Sequence, residues 1–244
     1  MKQAYTLLTA LVLILASCSD TTHYAPVQRG TISGHVTVYN EFNEPQPAGK
    51  VTVHVLGNGL SLEASTDANG FYTIENVPYG KWTYTISKPG FNIHYKKDFD
   101  FREEQATLNF PISRAPSFYV DRAEVYVHQN TAIRADVTLS EAVPVGKEFT
   151  LVTYLGNTPQ LSEAKYLHRS SNGFTSTGEK NLQLLPSITI ETLKSQHGFK
   201  SGDTAYLLIY PGAARIYGYW EGETYRVDAG TNSSLAVTFT VTIP

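Results

Sequence analysis

The chain has 244 residues, enough for one large or two small domains, and it carries 16 tyrosines against a single methionine, with 17% charged and 12% aromatic residues. That mix suits a β protein better than a helical one. A net charge of −3 without any Lys/Arg cluster leaves no electrostatic argument for nucleic acid, and the single cysteine excludes intrachain disulfides and CxxC-type zinc sites.

In chain order, the first segment is a leader. Lys2 supplies a positive charge and Ala4–Ala16 an apolar stretch too short to span about 30 Å of hydrocarbon. The string Leu15-Ala16-Ser17-Cys18 resembles a bacterial lipobox. The resemblance implies removal of residues 1–17 as a lipoprotein signal peptide and acylation (palmitate among the chains) of Cys18. The mature protein, with a net charge of −4, would then be anchored in the outer membrane, on its periplasmic or cell-surface face, without spanning it. A plain secretory signal with an incidental cysteine is the alternative. Residues 18–29 hold Cys18 and a polar tether that reaches roughly 30 Å when extended.

From Gly30 onward no pattern predicts a helix of three or more turns, whereas period-two alternation recurs. Ile32/Gly34/Val36/Val38, Val51/Val53/Val55, Trp82/Tyr84/Ile86 and Ala106/Leu108/Phe110/Ile112 each alternate with polar or small neighbours between turn residues. The spacing predicts a β-sandwich over 30–113. After Arg114-Ala115-Pro116 the alternation restarts with Val125/Val127, Ile133/Ala135/Val137/Leu139 and Phe149/Leu151/Thr153/Leu155. Ser162–Lys180 gives only weak signals, Thr189–His197 suits a short helix, and Ala205–Tyr210 is a compact apolar strand. Leu235, Val237, Phe239, Val241 and Ile243 predict a last strand with five inward positions. The reading is an all-β chain of two consecutive β-sandwich domains, 30–113 and 114–244.

Several strings within 30–113 resemble, in order, those of carboxypeptidase regulatory-like (transthyretin-like) domains. They are Ile32-Ser33-Gly34-His35-Val36, Pro47-Ala48-Gly49 before Val51-Thr52-Val53, Thr66-Asp67-Ala68-Asn69-Gly70-Phe71-Tyr72, Val77-Pro78-Tyr79-Gly80-Lys81-Trp82, and Lys88-Pro89-Gly90-Phe91. Lys50 and Trp82 stand where alanine and tyrosine are usual in that family. The resemblance implies a non-catalytic module: a spacer, folding aid or binding platform. The second domain resembles, more weakly, Ig-like sandwiches through Thr138–Pro144 and Phe149–Val152.

The Thr66–Gly80 stretch opens with the residue types of a calcium loop, but position 12 of an EF-hand loop is Pro78, so that loop is excluded. Turn chemistry accounts for it instead. Asp67 can accept from a backbone N–H two residues on, and Asn69-Gly70 can supply positive φ for a tight hairpin. His35 and His54 both fall on outward parities, where a metal pair is conceivable, but neither has a companion ligand; two solvated strand residues are the simpler account. No G-x-S-x-G, H-E-x-x-H or P-loop motif occurs. The expectation is therefore a protein that is not an enzyme, with no catalytic residues, metal or cofactor.

The strongest ligand candidate is Tyr206–Tyr225, where Tyr217, Tyr219 and Trp220 flank Gly218 beside Arg215, Glu221 and Glu223. Aromatic faces next to charged groups suit sugar rings. In the competing account Tyr206, Leu208 and Tyr210 are core and Tyr217/Tyr219 belong to a half-buried strand. The expected function is a lipid-anchored envelope component that binds a polysaccharide or mediates adhesion. The alternative is a scaffold that engages an envelope protein through a sheet edge.

Overall fold

The computed structural model describes residues 28–186, 188–214, 217–221, 224–228 and 237–244, the strands at 217–221 and 224–228 by backbone alone. Cys18, the apolar run before it and the tether lie outside the described residues. Among the described residues no helix is long and apolar enough to cross a membrane.

The N-terminal sandwich is organised on one long strand, β1 (Arg29–Tyr39), whose alternate residues Ile32, Val36 and Val38 are buried. Antiparallel β5 (Phe71–Pro78) pairs with its first half. On the other edge, parallel β8 (Gln105–Thr107) and β9 (Phe110–Ser113) follow one another, and the two-residue β2 (Pro45–Gln46) adds to the end. The facing sheet has the order β4-β3-β6-β7, from β3 (Thr52–Gly57), β4 (Leu60–Ser65), β6 (Gly80–Ser87) and β7 (His94–Phe101). Between the sheets pack Val51, Val53, Val55, Tyr72, Val77, Trp82, Tyr84 and Ile86.

Local chemistry explains the punctuated strings. The alternation expected through Ala106–Ile112 holds, with Ala106 and Leu108 half-buried against the core and Phe110 and Ile112 buried; between β8 and β9 the Leu108 carbonyl crosses β1 and accepts the Tyr72 hydroxyl at 2.8 Å. Gly34 lies beneath that carbonyl, and any Cβ there would overlap it; the glycine of the opening string is thus a close-approach residue. The Asp67 carboxylate accepts from the N–H groups of both Asn69 and Phe71, each at 2.9 Å. Contrary to the hairpin expectation, this turn carries the chain from β4 to β5 in the opposite sheet. Of its two turn residues only Gly70 adopts positive φ, +92°, so Asn69 does not supply it. A Cβ on Gly70 would also collide with the Val36 carbonyl.

The C-terminal sandwich sets the sheet β10-β11-β14 against β13-β12-β15-β18. The first is built from β10 (Val120–His128), β11 (Ala132–Leu139) and β14 (Asn181–Leu184). The second comprises β12 (Glu148–Gly156), β13 (His168–Thr175), β15 (Thr204–Gly212) and β18 (Val237–Thr242). The short helix expected near Thr189 is α1 (Ile190–His197); the Thr189 side chain caps its N-terminus and Gly198, at φ +73°, its C-terminus. Its Ile190 and Leu193 close one end of the core formed by Ile133, Val137, Leu139, Phe149, Leu151, Leu155, Leu207 and Ile209. The last strand is less inward-facing than expected. Val241 and Ile243 are buried, Val237 is 37% exposed, and Leu235 lies outside the described residues. β18 is a sheet edge, so its start has less to pack against.

The sandwiches are joined by more than the connection through Arg114. The loop Asn40–Glu44 leaves the N-terminal sandwich and inserts Phe42 against the second core, stacked on Phe118 with ring centroids 6.5 Å apart and planes 6° from parallel. Glu41 is buried; its carboxylate accepts the Ser117 hydroxyl at 2.9 Å and its carbonyl accepts Ala214 N–H at 2.9 Å. Glu44 pairs with Lys147, whose ammonium holds the Glu44 carboxyl below its usual range. Asn40 organises the loop by accepting from the N–H groups of Phe42 and Glu44.

Candidate functional site

Directly beyond Ala214 the chain forms a two-stranded hairpin, β16 (Tyr217–Glu221) and β17 (Thr224–Asp228), in register with Tyr219 opposite Arg226 and Trp220 opposite Tyr225. β16 runs against β7 of the N-terminal sandwich. Backbone geometry thus brings Tyr217, Tyr219 and Trp220 together in one strand at the junction of the two sandwiches. Their side chains, and Arg215 altogether, lie outside the described residues.

A second aromatic group occupies the outer face of the β13-β12-β15-β18 sheet. β12 and β15 are apolar on both parities. Leu151, Leu155, Leu207 and Ile209 face the main core, while Val152, Tyr154, Leu208 and Tyr210 form a separate buried cluster on the opposite face, with Leu161 against it. Leu208 and Tyr210 are therefore buried, as one account predicted, but outside the central core. The cluster gathers charge around the rings. The Tyr210 hydroxyl donates to Glu163 Oε1 at 2.7 Å. Tyr166 meets the Tyr154 ring edge-on at 4.9 Å between centroids, and the Arg169 guanidinium lies 5.9 Å from the Tyr154 centroid. Burial, reinforced by the hydrogen bond to Glu163, raises the Tyr210 hydroxyl above its usual pKa. Burial likewise raises Tyr154, partly offset by its hydrogen bond to Arg169. Both phenols therefore stay protonated and serve as hydrogen-bonding groups. Tyr166 is 38% and Leu167 37% exposed, so the cluster reaches solvent through the β12–β13 connection.

Sequence reasoning missed this cluster because Tyr166 and Arg169 sit in the weakly patterned Ser162–Lys180 stretch. The available signal was in β12: Thr150-Leu151-Val152-Thr153-Tyr154-Leu155 is apolar on both parities, which demands cover on both faces of the sheet.

The other sequence candidates separate. His35 and His54 lie on different sheets, on β1 and β3. The His35 ring sits 4.9 Å from the Phe71 ring, and its Nε2 is 2.7 Å from the Asn69 carbonyl oxygen. His54 Nε2 is 2.7 Å from the Ser61 hydroxyl, a cross-strand contact between β3 and β4. Among the described residues no three His, Cys, Asp or Glu side chains converge as metal ligands. His168 and His197 approach at 6.4 Å between ring centroids; burial first, then His197, lowers the His168 pKa.

An all-β protein of stacked sandwiches is the class this architecture defines. Residues 31–113 match the family model of the carboxypeptidase regulatory-like domain, so the N-terminal sandwich is a domain of that family. Among solved structures, the chain is similar to a protein of the DUF3823 family from Bacteroides uniformis at 12% identity and a TM-score of 0.31, covering 89% of this chain and 100% of that one. It is also similar to a proposed carbohydrate-binding protein from the same organism at 12% identity and a TM-score of 0.29, covering 85% and 98%. A third likeness, to a chain of a type II cohesin–X-dockerin complex from Acetivibrio cellulolyticus, has 18% identity and a TM-score of 0.30; it covers 35% of this chain and 58% of that one. Such scores carry no argument about function. No curated protein matches the sequence.

Proposed function

We propose that the protein is a non-catalytic, lipid-anchored binding component of the outer membrane, attached through Cys18, that captures glycan with its C-terminal sandwich. The observation that carries this reading is the outer-face cluster, in which Tyr154, Tyr166 and Tyr210 are interleaved with Arg169 and Glu163 and reach solvent at Tyr166. Apolar ring faces beside charged donors and acceptors match the alternating C–H faces and hydroxyl edges of sugars. The β16–β17 hairpin, whose backbone carries Tyr217, Tyr219 and Trp220 along β7 of the N-terminal sandwich, is a second candidate surface, with Arg215 two residues before it in sequence.

The test is a glycan-array screen of residues 19–244, repeated with Tyr166→Ala and Trp220→Ala. Binding that falls at least tenfold in either variant supports the reading, and no binding to any polysaccharide discards it. The anchor is tested separately: wild-type protein incorporates labelled palmitate and fractionates with membranes, and Cys18→Ala does neither. A second reading, protein pairing at a sheet edge, is favoured by β4, an edge strand that leaves Leu60 41% exposed.

A further inference from the structure

The β4-β3-β6-β7 sheet treats its two edges differently. β7 carries Lys96, Lys97, Asp98 and Asp100, its register with β6 is interrupted between Trp82 and Tyr84, and β16 runs against it. Charges, bulges and cover are the devices that keep an edge from pairing with another chain. β4, the opposite edge, has none of them. Leu60-Ser61-Leu62-Glu63-Ala64-Ser65 holds one charge and no proline, pairs with β3 without a register shift, and has no strand on its other side among the described residues. The hairpin joining β3 to β4 turns through Asn58 and Gly59, at φ +51° and +73°, so Gly57 and Leu60 form its hydrogen-bonded closing pair. From there the pairs alternate. Leu60, Leu62 and Ala64 turn their N–H and C=O groups to β3, and Ser61, Glu63 and Ser65 turn theirs outward. Those three outward residues are all exposed.

We infer that β4 pairs antiparallel with β4 of a second copy of this chain, about a two-fold axis at Leu62, joining the two four-stranded sheets into one. This pairing rests on the sheet-edge reading and names its partner. Residues that face each other across the axis share a side of the sheet, so the axis passes through a residue and not between two. An axis at Glu63 would set two carboxylates against each other, which destabilises a strand pair. An axis at Leu62 removes that repulsion. Glu63 then meets the partner's Ser61 as a hydrogen-bonded pair, Leu62 meets the partner's Leu62, and Leu60, 41% exposed, is covered by the partner's Ala64. One register thus satisfies the outward backbone groups, the apolar side chains and the single charge. Six residues from each copy make a small interface, so the dimer is weak and reversible.

Residues 19–244 contain no cysteine, so single cysteines map the register. Sedimentation velocity of that chain should show a concentration-dependent dimer below about 1 mM. Under mild oxidation Leu62→Cys should cross-link at least tenfold faster than the more exposed Glu63→Cys. Only position 62 meets itself, at the roughly 4.5 Å Cα separation of a non-hydrogen-bonded pair. Ser61→Lys, set against the partner's Glu63, should tighten the dimer at least threefold, and Ser61→Glu should weaken it as much. Ser61→Pro removes an outward N–H and should abolish the dimer while the monomer stays folded; if it unfolds, the two charge variants decide. A dimer indifferent to all three changes lies on another surface and overturns the inference, and faster cross-linking at Glu63→Cys overturns the register. A chain that stays monomeric up to about 1 mM overturns self-pairing. Hydrogen exchange of the Ser61 and Glu63 amides in the native envelope then separates the two readings: protection leaves a different protein at this edge, and free exchange removes the sheet-edge reading as well.

Discussion

Thr66→Val isolates one hydroxyl, because the two side chains have nearly the same shape. The Thr66 hydroxyl donates to the Ala48 carbonyl at 2.5 Å and accepts Val51 N–H at 2.9 Å. Thr66 is 5% exposed, Val51 0% and Ala48 9%, so water cannot readily replace the lost partner. The backbone of Thr66 adds two further bonds, its N–H to the Val51 carbonyl and its carbonyl to Lys50 N–H, and valine keeps both. Two hydrogen bonds at about 1 kcal/mol each, with a buried donor and acceptor left unpaired, put the cost at about 2–4 kcal/mol. For a domain of this size that lowers the melting temperature by roughly 10–25 °C. The assay is thermal and urea unfolding of residues 19–244, with Thr66→Ser as the control that keeps the hydroxyl. Ser should recover at least half of the loss. A Val variant within about 0.5 kcal/mol of wild type, a surface-like effect, would refute the reasoning that this hydroxyl ties the β4–β5 connection to the start of β3.

Three other outcomes follow from the same geometry. Gly70→Ala should destabilise by more than the ~1–2 kcal/mol of left-handed strain alone, because its Cβ also meets the Val36 carbonyl; urea midpoints compared with Gly59→Ala, at φ +73° in open space, separate the two contributions. Phe42→Ala should cost about 2 kcal/mol, half the value for a fully buried phenylalanine, and should split one unfolding transition into two by calorimetry. Burial, with a smaller contribution from Lys96, lowers the His94 pKa to about 4 from 6.5. The unfolded chain therefore binds the proton first, and stability is full above about pH 6.5 and declines towards pH 4, by about 2 kcal/mol after allowing for partial exposure. His94→Phe, which keeps the aromatic contact with Phe110, should flatten that part of the stability profile.

The N-terminal sandwich was legible because its signals are local. An Asx-type turn and strict alternation each depend on residues close in sequence, and Val51, Val53, Val55, Trp82, Tyr84 and Ile86 are buried on the parities the alternation assigned. What stayed hidden was non-local. Asn40–Glu44 reads as an ordinary turn, and nothing in its composition announces that Phe42 packs into the other sandwich. The two-sided strands β12 and β15 concealed the outer-face cluster for a related reason. Alternation identifies an inward face only when the other face is wet, and Val152, Tyr154, Leu208 and Tyr210 are not.

The junction ties the N-terminal domain to the β16–β17 hairpin of the second. Ala214, the last described residue before the hairpin, hydrogen-bonds to Glu41 of the N-terminal sandwich, and β16 runs against β7 of that same sandwich. Phe42 inserts and Glu41 is buried at the same junction. A platform built from Tyr217, Tyr219 and Trp220 on a two-stranded hairpin would be marginal by itself, and here it is fixed at its entry and along one strand by another domain. The carboxypeptidase regulatory-like module therefore buttresses the hairpin, through the Glu41–Ala214 hydrogen bond and the contact of β7 with β16. This gives Phe42→Ala a second consequence. It should loosen the hairpin while leaving the Tyr154–Tyr210 cluster intact, because that cluster sits on a sheet that draws all its strands from the C-terminal sandwich.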